Sequence, residues 1–269
     1  MAVEISASIG ALYPGVAPGK ACAVAAADGF TAVEFWTIAR ADVDAVERSV
    51  RAHELTVTSV NAGTGEAPEA FGLLGIPDAA QEWRRAFVTG IEVARRLRAR
   101  ALNLLVGGRV PATTRGQQLD CVRRNLEWCL PRLGGDDPVL LIEPLNAADR
   151  RSPVIRTVND AVSVLHSLGR PRQLGMLFDA YHLYQEESDL HEAFDRARPL
   201  VRHVQIADHP GRGEPGTGAI ALAPFLTHVV ASGYDGWVGC EFNPSTPAVV
   251  ATTRVALAGL LTQQVEVAS

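Results

Sequence analysis

The chain has 269 residues, 47% of them hydrophobic, and a formal net charge of −5. That length can bury one large core or two modest ones. The hydrophobic content excludes a disordered chain, and the acidic balance argues against nonspecific nucleic-acid binding, which needs basic surface.

No apolar run is long enough to span a bilayer, and no basic region followed by an apolar run opens the chain. Neither a membrane anchor nor a secretory leader is expected. Cys22, Cys121, Cys129 and Cys240 show neither C-x-x-C spacing nor a disulfide framework. They read as buried thiols in a reducing, cytoplasmic setting. Quaternary structure is not legible at this level, and a homo-oligomer is compatible with everything that is.

In chain order, Val3–Ile9 alternates as a first strand and Ala17–Asp28 is Ala-rich and helical, ended by Gly29. Thr31–Phe35 (TAVEF) is a second strand, followed by a short helix over Val43–Arg51. Leu55–Val60 has the β-branched content of a third strand. Apolar residues then return at helical spacing over Asp78–Leu97, before a fourth strand at Leu102–Val106. The second half repeats the rhythm, with helices over Gln117–Leu130, Val154–Leu168, Leu190–Ala197, Leu222–Ala231 and Pro247–Leu261. The strands between them are Pro138–Ile142, Leu174–Phe178, Val201–Ala207 and Trp237–Phe242.

Near-continuous apolar strands alternating with helices imply a parallel sheet covered by helices. Eight such units in this length predict an α/β fold, a closed (β/α)8 barrel spanning residues 1–269 as one domain, with an open doubly wound sheet as the alternative. The long strand-to-helix segments (Asn61–Pro77, Pro144–Pro153, Ala180–Glu187 and Asp208–Ala221) fall on the face where such barrels hold their sites.

Four consecutive late strands end in oxygen-bearing side chains: LLIE at Glu143, MLFD at Asp179, HVQIAD around Gln205, and VGCE at Glu241. Side chains alternate along a strand, so these groups point inward if Ile142, Val204, Ile206 and Cys240 face the helices. Adjacent strands lie about 5 Å apart, which would gather all four around one small volume. Three carboxylates together repel and resist burial. With an amide oxygen they suit a hard divalent ion, Mg2+ or Mn2+. The competing reading pairs each carboxylate with an arginine or uses it to cap a helix.

Four segments carry a family resemblance: LLIEPLN (141–146 and its preceding Leu140), FDAYH (178–182), HVQIADHPGRGEPGTG (203–218) and GYDGWVGCE (233–241). With them the chain resembles the hydroxypyruvate isomerase family, which includes the 2-oxo-tetronate isomerases, within the xylose-isomerase-like TIM barrel superfamily. The resemblance implies that Glu143, Asp179, Gln205 and Glu241 bind metal and that Glu143 and Glu241 also move protons. It further implies that His182 and Arg212 contact substrate oxygens. A small anionic 2-oxo acid is the expected substrate, with hydroxypyruvate and tartronate semialdehyde interconverted through an enediolate.

The first half departs from the pattern. Val60 precedes Asn61 where family members often carry histidine. Arg109, in Val-Gly-Gly-Arg, is the candidate replacement, displaced by one residue, for a family lysine, and is the rival of Arg212, the residue expected to hold the substrate carboxylate. Glu34 and Trp36 are candidates for the mouth of the site, Trp36 equally for core packing. Alternatives kept open are a 2-oxo-tetronate isomerase, a ketose 3-epimerase or other sugar isomerase, a metal-dependent phosphodiesterase or abasic-site nuclease, and a non-catalytic sugar-binding barrel.

Overall fold

A computed structural model describes residues 3–64, 71–111, 113–169 and 172–267. Its strands are β1 (Glu4–Ser8), β2 (Ala32–Phe35), β3 (Thr56–Ala62), β4 (Ala101–Leu104), β5 (Val139–Ile142), β6 (Leu174–Asp179), β7 (Val201–Ile206) and β8 (Trp237–Cys240). All pair in parallel in chain order, and β1 closes onto β8 with Glu4 opposite Trp237. This is the predicted (β/α)8 barrel.

The helices are α1 (Ile9–Leu12), α2 (Pro18–Ala27), α3 (Val43–Ala52), α4 (Ala80–Arg96), α5 (Arg115–Cys129), α6 (Val158–Ser167), α7 (Ala180–Tyr184), α8 (Leu190–Ala197), α9 (Leu222–Ala231) and α10 (Pro247–Val267). Among the described residues no helix is long and apolar enough to cross a membrane. All four cysteines are buried and unpaired.

Three details differ from the expected elements, the first being the short helix α1, which takes in Ile9 of the expected strand Val3–Ile9. Helix α6 begins four residues later than Val154, because residues 154–157 serve other partners. The Val154 N–H donates to Gly107 O and Ile155 O accepts from the Leu145 N–H. Thr157 then caps the helix through a reciprocal box with Asp160. The short helix α7, unforeseen, starts directly at the end of β6, where Asp179 Oδ1 accepts the Tyr181 N–H at 2.8 Å.

Side chains facing the helices form one continuous core, with Phe178, Phe194 and Phe225 in mutual ring contact between β6, α8 and α9. Inside the barrel, Ala101, Leu141 and Leu177 form a separate apolar cluster contributed by β4, β5 and β6. The arc formed by β7, β8, β1 and β2 is different. There Ser6, Glu34 and His203 are buried, each at most 1% exposed, beside Gly239. The interior therefore has an apolar side and a polar side. The period of two along each strand places the next inward residue of every strand at the upper rim.

Candidate functional site

On the apolar side, Asn103 follows Ala101, Glu143 follows Leu141 and Asp179 follows Leu177 by two residues. All three are buried. Asn103 Nδ2 donates to Glu143 Oε2 at 2.8 Å. Burial, and then the neighbouring Glu241 and Asp179 charges, raise the Glu143 carboxyl to about 8. Asp179 divides its oxygens. Oδ1 caps α7, and Oδ2 accepts from Arg212 Nη2 at 2.8 Å. The helix-cap and site readings of this residue therefore both hold geometrically.

Glu241 follows β8. Its Oε1 accepts from Trp36 Nε1 and its Oε2 pairs with Arg212 Nη2 at 2.8 Å. Burial raises its carboxyl to about 7; the Arg212 charge opposes that rise, while Asp179 and Glu34 add to it. Trp36 lines the cavity and is 46% exposed, so it belongs to the mouth rather than to the core. Glu34 does not line the mouth; it lies beneath the rim, 1% exposed.

His182, on α7, is 3% exposed. Its Nδ1 faces Asn146 Nδ2 at 2.7 Å and its Nε2 faces Arg212 Nη1 at 3.1 Å. Burial depresses its pKa to about 4, so the ring is neutral near pH 7. Ligand atoms of Glu143, Asp179 and His182 lie within 4.8 Å of one another, an arrangement able to hold a metal ion.

Gln205 Nε2 donates to Glu34 Oε1 at 2.7 Å, while its buried Oε1 has no hydrogen-bond partner. A buried amide oxygen without a donor is costly. Beside Asp179, its register partner on β6, it fits a hard cation, which takes oxygen ligands. The histidine of the metal-capable group was not assigned to the metal at the sequence level. Its signal was available in the DAYH spacing, which puts His182 three residues beyond Asp179 on one helical turn.

The segment HVQIADHPGRGEPGTG owes its composition to Asp208. That carboxylate, fully buried, accepts four backbone N–H groups, from His209, Gly216, Gly218 and Ile220, at 2.9–3.0 Å. Such wrapping needs glycine: a Cβ on Gly218 would sit 2.6 Å from Asp208 Oδ1. Arg212 adopts φ +57, in the left-handed region. Its Nε donates to Glu241 O at 2.9 Å, and the Asn243 N–H donates to Arg212 O at 2.7 Å. The loop after β7 is thus stitched to the loop after β8. Burial disfavours the Arg212 charge, but Glu241, Asp179 and Glu143 outweigh it and hold its pKa above the usual arginine range.

Trp36, Glu143, His182, Arg212 and Glu241 line one cavity of about 560 Å³, together with Asp149 and Arg150 among others, whereas Asp179 and Gln205 are not among its lining residues. Arg109 is not brought into it. Its N–H donates to Ser152 O beside the Gly108–Pro153 bridge, and its side chain is exposed. A displacement of one residue in extended chain turns a side chain to the opposite face. Arg150, which the sequence did not single out, lines the cavity instead.

The xylose isomerase-like TIM barrel family matches residues 22–259. Hydroxypyruvate isomerase of Escherichia coli (strain K12) is 32% identical over 224 residues, covering 82% of this chain and 86% of that protein. The 2-oxo-tetronate isomerase of Cupriavidus necator is 30% identical over 225 residues, covering 82% and 85%. The crystal structure of AP endonuclease, family 2, from Brucella melitensis superposes with a TM-score of 0.88 at 26% identity, covering 96% of this chain and 99% of that one. A match of this extent makes the chain an isomerase-type enzyme that belongs to the xylose isomerase-like TIM barrel family, among its hydroxypyruvate isomerase and 2-oxo-tetronate isomerase members.

Proposed function

We propose that the enzyme interconverts hydroxypyruvate and tartronate semialdehyde. The observation that carries this reading is a pair of buried carboxylates, Glu143 and Glu241, lining one small cavity, where burial disfavours their charged forms. A general base works best when its pKa lies near the operating pH. One carboxylate removes a proton from C3 of hydroxypyruvate, leaving an enediolate across C2 and C3. A proton returned to C2 and transfer of the O3 proton to O2 give the aldehyde, with O2 now a hydroxyl. Neutral His182 and the Arg212 guanidinium lie where they can hold the substrate oxygens during this transfer.

Glu143, Asp179, Gln205 and Glu241 would hold a divalent cation, Mg2+ or Mn2+, with His182 as a further donor close to the first two. Such an ion supplies Lewis-acid stabilisation of charge on the oxygens of the enediolate. Arg150 offers the substrate carboxylate a guanidinium at the cavity edge, since four of the five N–H groups of Arg212 already face protein acceptors.

The name of the Brucella structure raises a nuclease reading. It finds little support in a chain of net charge −5, because phosphate-backbone binding requires basic surface. The test is a matched panel of small 2-oxo acids and free ketoses in D2O, with and without Mg2+ or Mn2+, followed by proton NMR. Deuterium entering C2 or C3 of the three-carbon acids, faster than into any neutral ketose, is the expected result. Faster turnover of a ketose would replace this reading with a sugar isomerase or 3-epimerase, and preference for a four-carbon oxo acid with a 2-oxo-tetronate isomerase.

A further inference from the structure

Glu34 on β2 carries a carboxylate that is 1% exposed, and it meets three donors from other strands. Ser6 Oγ donates to Oε2 at 3.1 Å, His203 Nε2 lies 2.6 Å from the same oxygen, and Gln205 Nε2 donates to Oε1 at 2.7 Å. Glu34 and Gln205 are separated by β1 and β8 in the ring. The intervening inward positions are small: Ser6 on β1 and Gly239 on β8, the latter paired with both Ser6 and Gln205. A Cβ on Gly239 would land on the Glu34 carboxylate. The glycine is therefore the gap through which Glu34 crosses to β7.

A carboxylate accepts and an amide can do either. If the Gln205 amide were reversed, its oxygen would face a carboxylate oxygen at hydrogen-bonding distance, replacing an attraction with a repulsion in a buried, weakly screened setting. Glu34 thereby selects one of the two amide orientations: NH2 downward, and Oε1 free of any protein donor.

We propose that Glu34 is the positioning residue that presents Gln205 Oε1 to the divalent cation. This rests on the reading above in which Gln205 is a metal ligand. Metal partners one shell out typically change affinity by 10–100-fold when mutated.

The test is Mn2+ titration of the full chain, with free Mn2+ read by electron paramagnetic resonance. The proteins are wild type, Glu34→Gln, Gln205→Ala and the double variant, with folding checked by circular dichroism. Glu34→Gln is expected to weaken Mn2+ binding about 10- to 100-fold, yet to change it by no more than about twofold when Gln205 is already Ala. Equal losses in both backgrounds would mean that Glu34 acts through charge or packing and would overturn the proposal, as would an unchanged affinity in Glu34→Gln. Should Glu34→Gln not fold, the swapped pair Glu34→Gln/Gln205→Glu decides. There the new amide donates to the new carboxylate, and binding no tighter than in Gln205→Ala would overturn the proposal. A wild type that does not bind Mn2+, or a Gln205→Ala that binds it equally well, would defeat the metal-ligand reading and this inference with it. That result is distinguishable from the failure of Glu34 alone.

Discussion

The two sides of the barrel interior solve opposite problems. On the side of β4, β5 and β6 the floor is apolar, made of Ala101, Leu141 and Leu177, and rim carboxylates stand directly on it. Burial there is the leading cause of the raised Glu143 carboxyl. On the side of β7, β8, β1 and β2 the floor is polar. Glu34 is matched by Ser6, His203 and Gln205, and the group it steadies is an uncharged amide. One side leaves its acid under-solvated, with Asn103 donating to Glu143 and burial raising its carboxyl. The other satisfies its acid completely and uses it as a fixed support. A buried carboxylate is thus not a functional label by itself; the count of its donors separates the two cases.

The largest effect that would break this comparison lies at the rim. Glu143→Gln and Glu241→Gln, each loaded with metal to the same occupancy, are expected to lower kcat by about 10²–10⁴-fold, measured by solvent deuterium exchange. Near-normal turnover in either would remove that residue from the proton-handling pair. Next comes the apolar floor. Leu177 is fully buried, and Leu177→Ala should cost about 2–5 kcal/mol in denaturant unfolding. A cost below 1 kcal/mol would mean that the floor collapses easily and does not hold the rim rigidly.

A smaller effect sharpens the assignment of the substrate carboxylate. Arg150→Met should raise KM for hydroxypyruvate about tenfold, the scale of one charge-assisted hydrogen bond. KM for any neutral ketose that is turned over should hardly move. An equal rise on both would return the carboxylate to Arg212. The smallest expected change lies outside the barrel interior, at Asp160. Burial opposes its ionisation, but the Arg156 and Thr157 amides and the Arg115 guanidinium outweigh this and hold its carboxyl below the usual range. Asp160→Asn should cost about 1 kcal/mol at pH 7. A depressed pKa contributes stability above the unfolded value, near 3.9, that disappears as pH falls through the folded value. The gap in melting temperature between the two proteins should therefore close below about pH 4. A gap constant with pH would mean that Asp160 acts by shape alone.

All eight strands were legible, because parallel strands buried on both faces leave uninterrupted apolar runs such as LLI and MLF. The rim residues were legible for the same reason: a polar side chain at the end of such a run stands out. What lay one turn of the pleat below did not. Glu34 reads as an ordinary rim glutamate until β7 is placed beside β8, and its partner His203 is 169 residues away. Arg150 hid among Asp149, Arg150 and Arg151, a charged stretch that resembles any solvated loop, while Arg109 drew notice only by standing one place from an expected lysine. Asp208 looked like one more polar residue at a strand end. Its four N–H donors come from positions one to twelve residues onward, a pattern set by the turn it creates rather than by any local spacing.

That turn has a thermodynamic consequence. Fixing a backbone residue costs about 1–2 kcal/mol of conformational entropy. The segment wrapped around Asp208 and pinned to Asn243 meets that cost while the chain folds. Under the proposed function, a small acid entering the cavity meets a wall that is already ordered, and association does not have to supply the entropy of closing a loop. For a ligand of so few atoms, with little surface to contribute, such prior ordering decides how much of its binding energy remains for the chemistry.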